Sequence, residues 1–340
     1  MSRPDPRLPD PPGRQQVLPG PPSAAGAQGS REPSRRGRTR AGVWRRLWVA
    51  TLRDADTAGF SPSWALAVFW LPAVGGLLVA ATFVHKPLFY WLLAEDHPVE
   101  WTQFGLLVFS TSAAALGAVR MARRGRWLSA ALYVMFVLGA FALAGEEISW
   151  GQRVFGLGEP AALAAANDQH ELNLHNIDAG GLNLDALSDY VSSLLSAALL
   201  VLSLAVRLPR GSTHPPSRFW GRDYVRAVSP ALVFIPALAL SAVYSWGQLI
   251  SAVGGTGAFW GFEEWAEFCR YLSLAGLAAV TTAGSRGPLR LDSARRAHLR
   301  KGPRLLEPAL VLFAALSAAV TIVFAVLTIH TGLKPVNAPR

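Results

Sequence analysis

The chain is poor in cysteine and poor in charge. A single cysteine, Cys269, stands among 340 residues. No intrachain disulfide can form, and no metal site of paired thiolates exists. Charged residues make up 16% of the chain, whereas soluble globular chains carry roughly 25%. Familiar catalytic signatures are missing too. There is no Gly-x-Ser-x-Gly elbow, no Walker loop, no dinucleotide glycine fingerprint and no His-Glu-x-x-His. The glycines at 254, 255 and 257 follow no strand and read as a turn.

What the chain has in excess is apolar residues, 51% in all, and they fall in blocks. About 20 helical residues span the ~30 Å hydrocarbon core of a bilayer. Seven blocks approach that length: 64–84, 101–119, 127–145, 190–206, 227–253, 260–282 and 308–328. The sixth is the most polar, with Glu263, Glu264, Glu267 and Arg270 in its first half. The expected fold class is therefore all-α, a polytopic transmembrane helix bundle of about seven helices. Residues 1–60 are rich in Pro, Gly, Ser and Arg. Such a segment buries too little apolar surface to offset its ordering entropy, so a disordered cytoplasmic tail is expected. The transmembrane domain then covers 61–331, with a polar extracytoplasmic segment at 148–187, and 332–340 form a short tail.

The net charge of +10 raises the question of nucleic acid. Its distribution answers it: no nucleic-acid partner is expected. Of 32 basic residues, 27 lie in four segments: the N-terminal tail to residue 63, and the loops 120–126, 207–226 and 284–306. These alternate with segments holding almost none. The positive-inside rule then gives a cytoplasmic N-terminus, an extracytoplasmic C-terminus and an odd number of crossings in the inner or plasma membrane.

That topology gathers 14 of the 22 acidic residues and five of the seven histidines on the outer face. Four motifs hold most of them. Glu95-Asp96-His97-Pro98-Val99-Glu100 precedes the second block and suits a helix N-terminus, where acids favour the dipole. Gly145-Glu146-Glu147-Ile148-Ser149-Trp150-Gly151-Gln152-Arg153 ends the third. If that helix continues, Glu146, Ser149, Trp150 and Arg153 share one face. Asn167 to Asp178 follows; read as a helix, it lines up Asn167, Glu171, His175 and Asp178. A His and a carboxylate four residues apart can ligate one metal. In the sixth block Glu263, Glu267 and Arg270 share a face, with Glu264 beside Glu267. One arginine cannot neutralise three carboxylates. Ionisable groups at membrane depth are costly and usually functional.

The candidate catalytic residues are Glu146, Glu147, Gln152, Arg153, Glu263, Glu264 and Glu267. Glu147, Glu171, His175 and Glu264 are the candidate ligands for a divalent metal such as Zn²⁺, Mn²⁺, Ca²⁺ or Mg²⁺. The expected chemistry is hydrolysis or transfer on a lipid-linked or amphipathic substrate, with Gln152 and Arg153 holding an anionic headgroup. The alternatives are a membrane scaffold and a cation- or proton-coupled transporter.

The pair Gly-Glu-Glu-Ile-Ser-Trp-Gly-Gln-Arg (145–153) and His-Glu-Leu-Asn-Leu-His-Asn (170–176) resembles a family of bacterial multi-pass membrane proteins, over roughly residues 90–270. The resemblance implies a multi-pass fold and no particular activity. CAAX-type membrane proteases carry Glu-Glu-x-x-x-Arg, but here Arg153 stands two positions too far along. The ceramidase and adiponectin-receptor group carries a paired His-x-x-x-His in its last helix, where this chain has His330 alone.

Overall fold

A computed structural model describes residues 39–94, 97–160, 167, 172–174, 177–179, 182–208, 229–254, 262–284 and 308–331. The chain divides into two units, Met1–Val43 and Trp44–Arg340. Of the first, only the helical residues 39–43 are described.

The described residues are almost wholly helical. In chain order the helices are α1 (Thr39–Ala58), α2 (Pro62–Ala81), α3 (Lys86–Leu93), α4 (Pro98–Ala122), α5 (Trp127–Glu147), α6 (Gln152–Phe155), α7 (Leu184–Arg207), α8 (Ile235–Gly254), α9 (Glu263–Gly284) and α10 (Pro308–Thr331). One short hairpin pairs β1 (Asp178–Ala179) with β2 (Leu182–Asn183), antiparallel, with Asp178 opposite Asn183.

Among the described residues, four stretches are long and apolar enough to cross a membrane: Pro62–Ala122, Trp127–Glu147, Tyr190–Arg207 and Ala309–Leu327. The first contains α2, α3 and α4, and at ~1.5 Å per residue both α2 and α4 reach bilayer length on their own. These helices carry apolar side chains on their outsides. Leu77 and Leu78 of α2, Met135 of α5, Val201 of α7 and Ile322 of α10 are all exposed. Exposed apolar surface on that scale suits contact with lipid rather than water.

At the centre lies α4, which packs against α5, α9 and α10. Its buried positions Gln103, Leu107, Ser110, Ala114, Gly117 and Met121 recur every three or four residues, as one helical stripe. Its middle, Ser110, Ala114 and Gly117, is made of small residues, which lets backbones approach closely where apolar burial alone gives no drive. A Cβ at Gly117 would run into the Tyr133 ring of α5. Thr282 of α9 donates to the Ala113 carbonyl of α4 at 2.7 Å, and Arg120 Nη1 of α4 donates to the Thr282 carbonyl at 3.2 Å.

Three differences from the sequence expectation have physical causes. Residues 39–58, expected within an unstructured tail, form α1. Its Leu52, Ala55 and Ala58 pack with Ala65 of α2 and with Val233 and Phe234. Its Asp54 is buried and pairs with Arg207 at 2.8 Å. Residues 1–38 and 332–340 lie outside the described residues. The fifth block starts late, as a 3₁₀ turn (Leu232–Phe234) followed by α8. Pro236, the second residue of α8, is tolerated there because its missing N–H lies in the first turn. The third difference is the acidic segment after α5, described next.

Candidate functional site

The helix of Glu146 and Glu147 does not continue. It stops at Glu147, and the next turn is left-handed: Ser149, Trp150 and Gly151 have φ of 45°, 52° and 73°. Glycine occupies that region freely, but a bulky residue there is strained. The single face expected for Glu146, Ser149, Trp150 and Arg153 is thereby broken. What holds Trp150 in place is local. Its indole Nε1 donates to Glu146 Oε1 at 2.7 Å, and its ring meets Phe141 edge-on at 6.1 Å. Gly145 leaves room for the ring, since a Cβ there would lie 2.9 Å from it. The chain re-enters helix at once as α6, which contains Gln152 and Arg153.

The described residues between Asn167 and Asp178, namely 167, 172–174 and 177–178, are not helical. Asn167 makes an antiparallel bridge to Ile177, and Asp178 lies in β1. The segment is fastened to the end of α5 by backbone donors. Leu174 N–H donates to Glu146 Oε2 at 2.7 Å, and Leu172 N–H donates to Gln152 Oε1 at 2.7 Å. A non-helical segment has N–H groups to offer where a helix would have used them internally. The two motifs picked out in the sequence thus meet, but Glu146 and Gln152 meet it as acceptors for main-chain amides.

Glu147 turns elsewhere. Adjacent residues on a helix diverge by about 100°, so the Glu146-Glu147 pair is split between two tasks. Glu147 Oε1 accepts from the Tyr271 hydroxyl of α9 at 2.9 Å. Glu264, Glu267 and Arg270, all of α9, act on Glu147 electrostatically. Tyr271 in turn feels Glu147, Glu267 and Arg270. Arg270 is 7% exposed, and its Nη1 donates to Glu267 Oε1 at 3.2 Å. On the far side, fully buried Gln103 of α4 donates through Nε2 to Glu264 Oε2 at 3.0 Å and to the Glu264 carbonyl at 2.6 Å. Glu263 opens α9 and is half-buried.

α9 is set in place by Trp265. Its indole lies against Gly75 and Gly76 of α2, where any Cβ would collide, and its Nε1 donates to the Pro72 carbonyl at 3.1 Å. Trp265 also stacks on Phe268, with ring centroids 4.6 Å apart. These contacts turn Glu264, Glu267 and Tyr271 toward α4 and α5.

Of the expected residues, the structure brings Glu147, Glu264 and Glu267 into one cluster. It brings Glu146 and Gln152 into a neighbouring loop clamp. Arg153 stands in α6. Of the four expected metal ligands, Glu171 and His175 lie outside the described residues. Among the described residues, no group of three or more His, Cys, Asp or Glu stands close enough to hold a metal. Gln103 and Tyr271 are additions that sequence reading missed. A glutamine inside an apolar helix is itself a signal, and Tyr271 stands four residues after Glu267, one turn along the same face.

Compared with known proteins, the chain matches no protein-family model, no curated protein and no solved structure. The fold and the cluster define a class on their own terms. It is a helical chain whose described residues include four stretches of membrane-crossing length and an acidic cluster held between three helices.

Proposed function

We propose that the chain is a multi-pass membrane protein of seven crossings, α2, α4, α5, α7, α8, α9 and α10, with a cytoplasmic N-terminus. Its acidic cluster faces the outer side and carries out acid–base hydrolysis or transfer on a lipid-linked or amphipathic substrate. The observation that supports this most is that Glu264, Glu267 and Arg270 of α9 all act on Glu147 of α5, with Arg270 donating to Glu267. Three carboxylates and one arginine leave the cluster short of positive charge. A proton held on one of the carboxylates reduces that deficit. A carboxyl group that can take and return a proton beside a second carboxylate is the elementary apparatus of general acid–base catalysis. Glu146 and Gln152 act here as positioning residues that hold the 172–174 segment beside the cluster.

The test is a panel of long-chain esters, phosphodiesters and polyprenyl phosphates in mixed micelles, followed by mass spectrometry. Full-length protein is compared with Glu147→Gln and Glu264→Gln. The amide keeps an acceptor for the Tyr271 hydroxyl and removes the exchangeable proton. Turnover of at least one substrate, reduced about 10²–10⁴-fold in a variant that melts with the wild type, is the expected result. No turnover from well-folded protein, together with loss of folding in both variants, would overturn it. That outcome favours a second reading, a polar lock in a membrane scaffold. The partners already found for Glu146, Glu264 and Glu267 are what support that reading.

A further inference from the structure

A second feature lies away from the acid cluster. A cleft of about 800 Å³ opens between α2, α4, α9 and α10. It runs from Ser61, at the start of α2, to Ile322, well along α10. Its wall is largely apolar and mixes large side chains such as Trp64 and Phe109 with small residues such as Gly105, Gly276 and Ala318. Among the described residues, no Asp, Glu, Lys, Arg or His lines it. A charged ligand would meet no counter-charge there, and its desolvation would go uncompensated. The volume is within the ~300–1,000 Å³ range of small-molecule sites.

Four hydroxyl side chains stand on the wall, and they differ. Ser61 accepts from the Trp64 N–H as the cap of α2, and Thr102 donates to the Pro98 carbonyl. Ser317 and Thr321, one turn apart on α10, have hydroxyl oxygens that are buried and without a hydrogen-bond partner among the described residues. Ser317 is 3% exposed. The usual solution for a hydroxyl inside an apolar helix is the carbonyl four residues back. Ser110, Ser112, Ser203, Ser273 and Thr281 all adopt it. Ser317 and Thr321 depart from that habit, and both line the cleft. A buried donor left unmade costs about 1–3 kcal/mol, so the pair asks for an acceptor from outside the chain.

We infer that this cleft binds an uncharged long-chain lipid, with the chain along the apolar wall and a carbonyl oxygen accepting from Ser317 and Thr321. The inference stands apart from the acid cluster. Leu272, Ala275, Gly276 and Ala279 are the positions of α9 that line the cleft, whereas Glu264, Glu267 and Tyr271 build the cluster. A long-chain ester and an isoprenoid quinone share this chemistry.

The probe is a diacylglycerol carrying a photoreactive diazirine in one acyl chain, added to the full-length protein in detergent. Competitors are unlabelled diolein and decylubiquinone. Saturable labelling of the 308–331 peptide is expected. Whichever competitor displaces the probe at lower concentration identifies ester or quinone as the preferred source. Ala318→Trp fills the cleft and should abolish saturable labelling. Ser317→Ala combined with Thr321→Val keeps the space, removes both donors and should weaken the probe about tenfold or more. Unsaturable labelling spread over lipid-facing residues would overturn the inference. So would an unchanged affinity in the Ser317→Ala, Thr321→Val chain, which would mean that water satisfies these hydroxyls. Thermal melting confirms that each variant is folded. Should Ala318→Trp fail to fold, the double variant decides alone.

Discussion

Asp54→Ala should be among the most damaging single changes in this chain. Asp54 and Arg207 form an ion pair of 2.8 Å, with each side chain only 4% exposed. Asp54 Oδ2 also accepts from the Leu232 N–H at 2.8 Å, and Arg207 Nε donates to Ser229 Oγ at 2.8 Å. One carboxylate thus ties α1, α7 and the turn before α8. Removing it leaves a buried guanidinium without its counter-charge and a buried amide without its acceptor. Breaking a buried pair from one side costs about 3–5 kcal/mol. The lost amide bond overlaps with that figure and is not added to it. Asp54→Asn keeps an acceptor for Leu232 and should cost less than Asp54→Ala. Replacing both partners by leucine should recover much of the loss, because the isolated charge is what is expensive. The assay is unfolding by sodium dodecyl sulfate in mixed micelles, read from the chain's 12 tryptophans. The double-mutant cycle gives the coupling. Asp54→Ala within about 0.5 kcal/mol of wild type, the ordinary scatter of surface substitutions, would refute the reasoning.

Other substitutions test the site. Gln103→Leu removes the donor to Glu264 from a fully buried position, and the same unfolding assay should show a loss of about 1–3 kcal/mol. Gly151→Ala forces a Cβ onto a residue at φ 73°, 2.7 Å from the Phe155 ring. It should cost about 1–2 kcal/mol from the backbone alone, with wild-type stability as the contrary result. Metal analysis of the purified full-length chain separates a shared proton from a shared cation. We expect well under one equivalent of Zn²⁺ or Mn²⁺. About one equivalent, lost in both Glu147→Ala and His175→Ala, would bring the 171–175 segment into the site as ligand.

The sequence made the helices legible because their cause is local. Apolar blocks of bilayer length leave few alternatives to helix, and α4, α5 and α10 start within a few residues of their blocks. Legibility failed where the cause was distant. Asp54 looked like one more charge in a polar tail, since its partner Arg207 stands 153 residues away. The Glu146-Glu147 pair looked like a unit, but the helix ends there and the two side chains part. The 167–178 run has helical spacing of polar residues, yet its amides find acceptors at Glu146 and Gln152 and a bridge between Asn167 and Ile177. Convergence of Glu147 with Glu264 and Glu267 was legible as a shared side of the bundle. Tyr271 and Gln103, which complete the cluster, were not, because nothing in their neighbourhoods says which helix they will meet.

Side-specific labelling decides whether the acid cluster lies at the outer face, as proposed. Cys269 is the sole cysteine and is buried, so Cys269→Ala gives a clean background. In that background Leu157→Cys, at an exposed position just beyond α6, and Thr57→Cys, at an exposed position near the end of α1, are compared. With a membrane-impermeant maleimide on intact cells, an outer-face cluster gives labelling at position 157 and none at 57 until the membrane is opened. Labelling at 57 and protection at 157 would contradict it and would place Glu147, Glu264 and Glu267 on the cytoplasmic side.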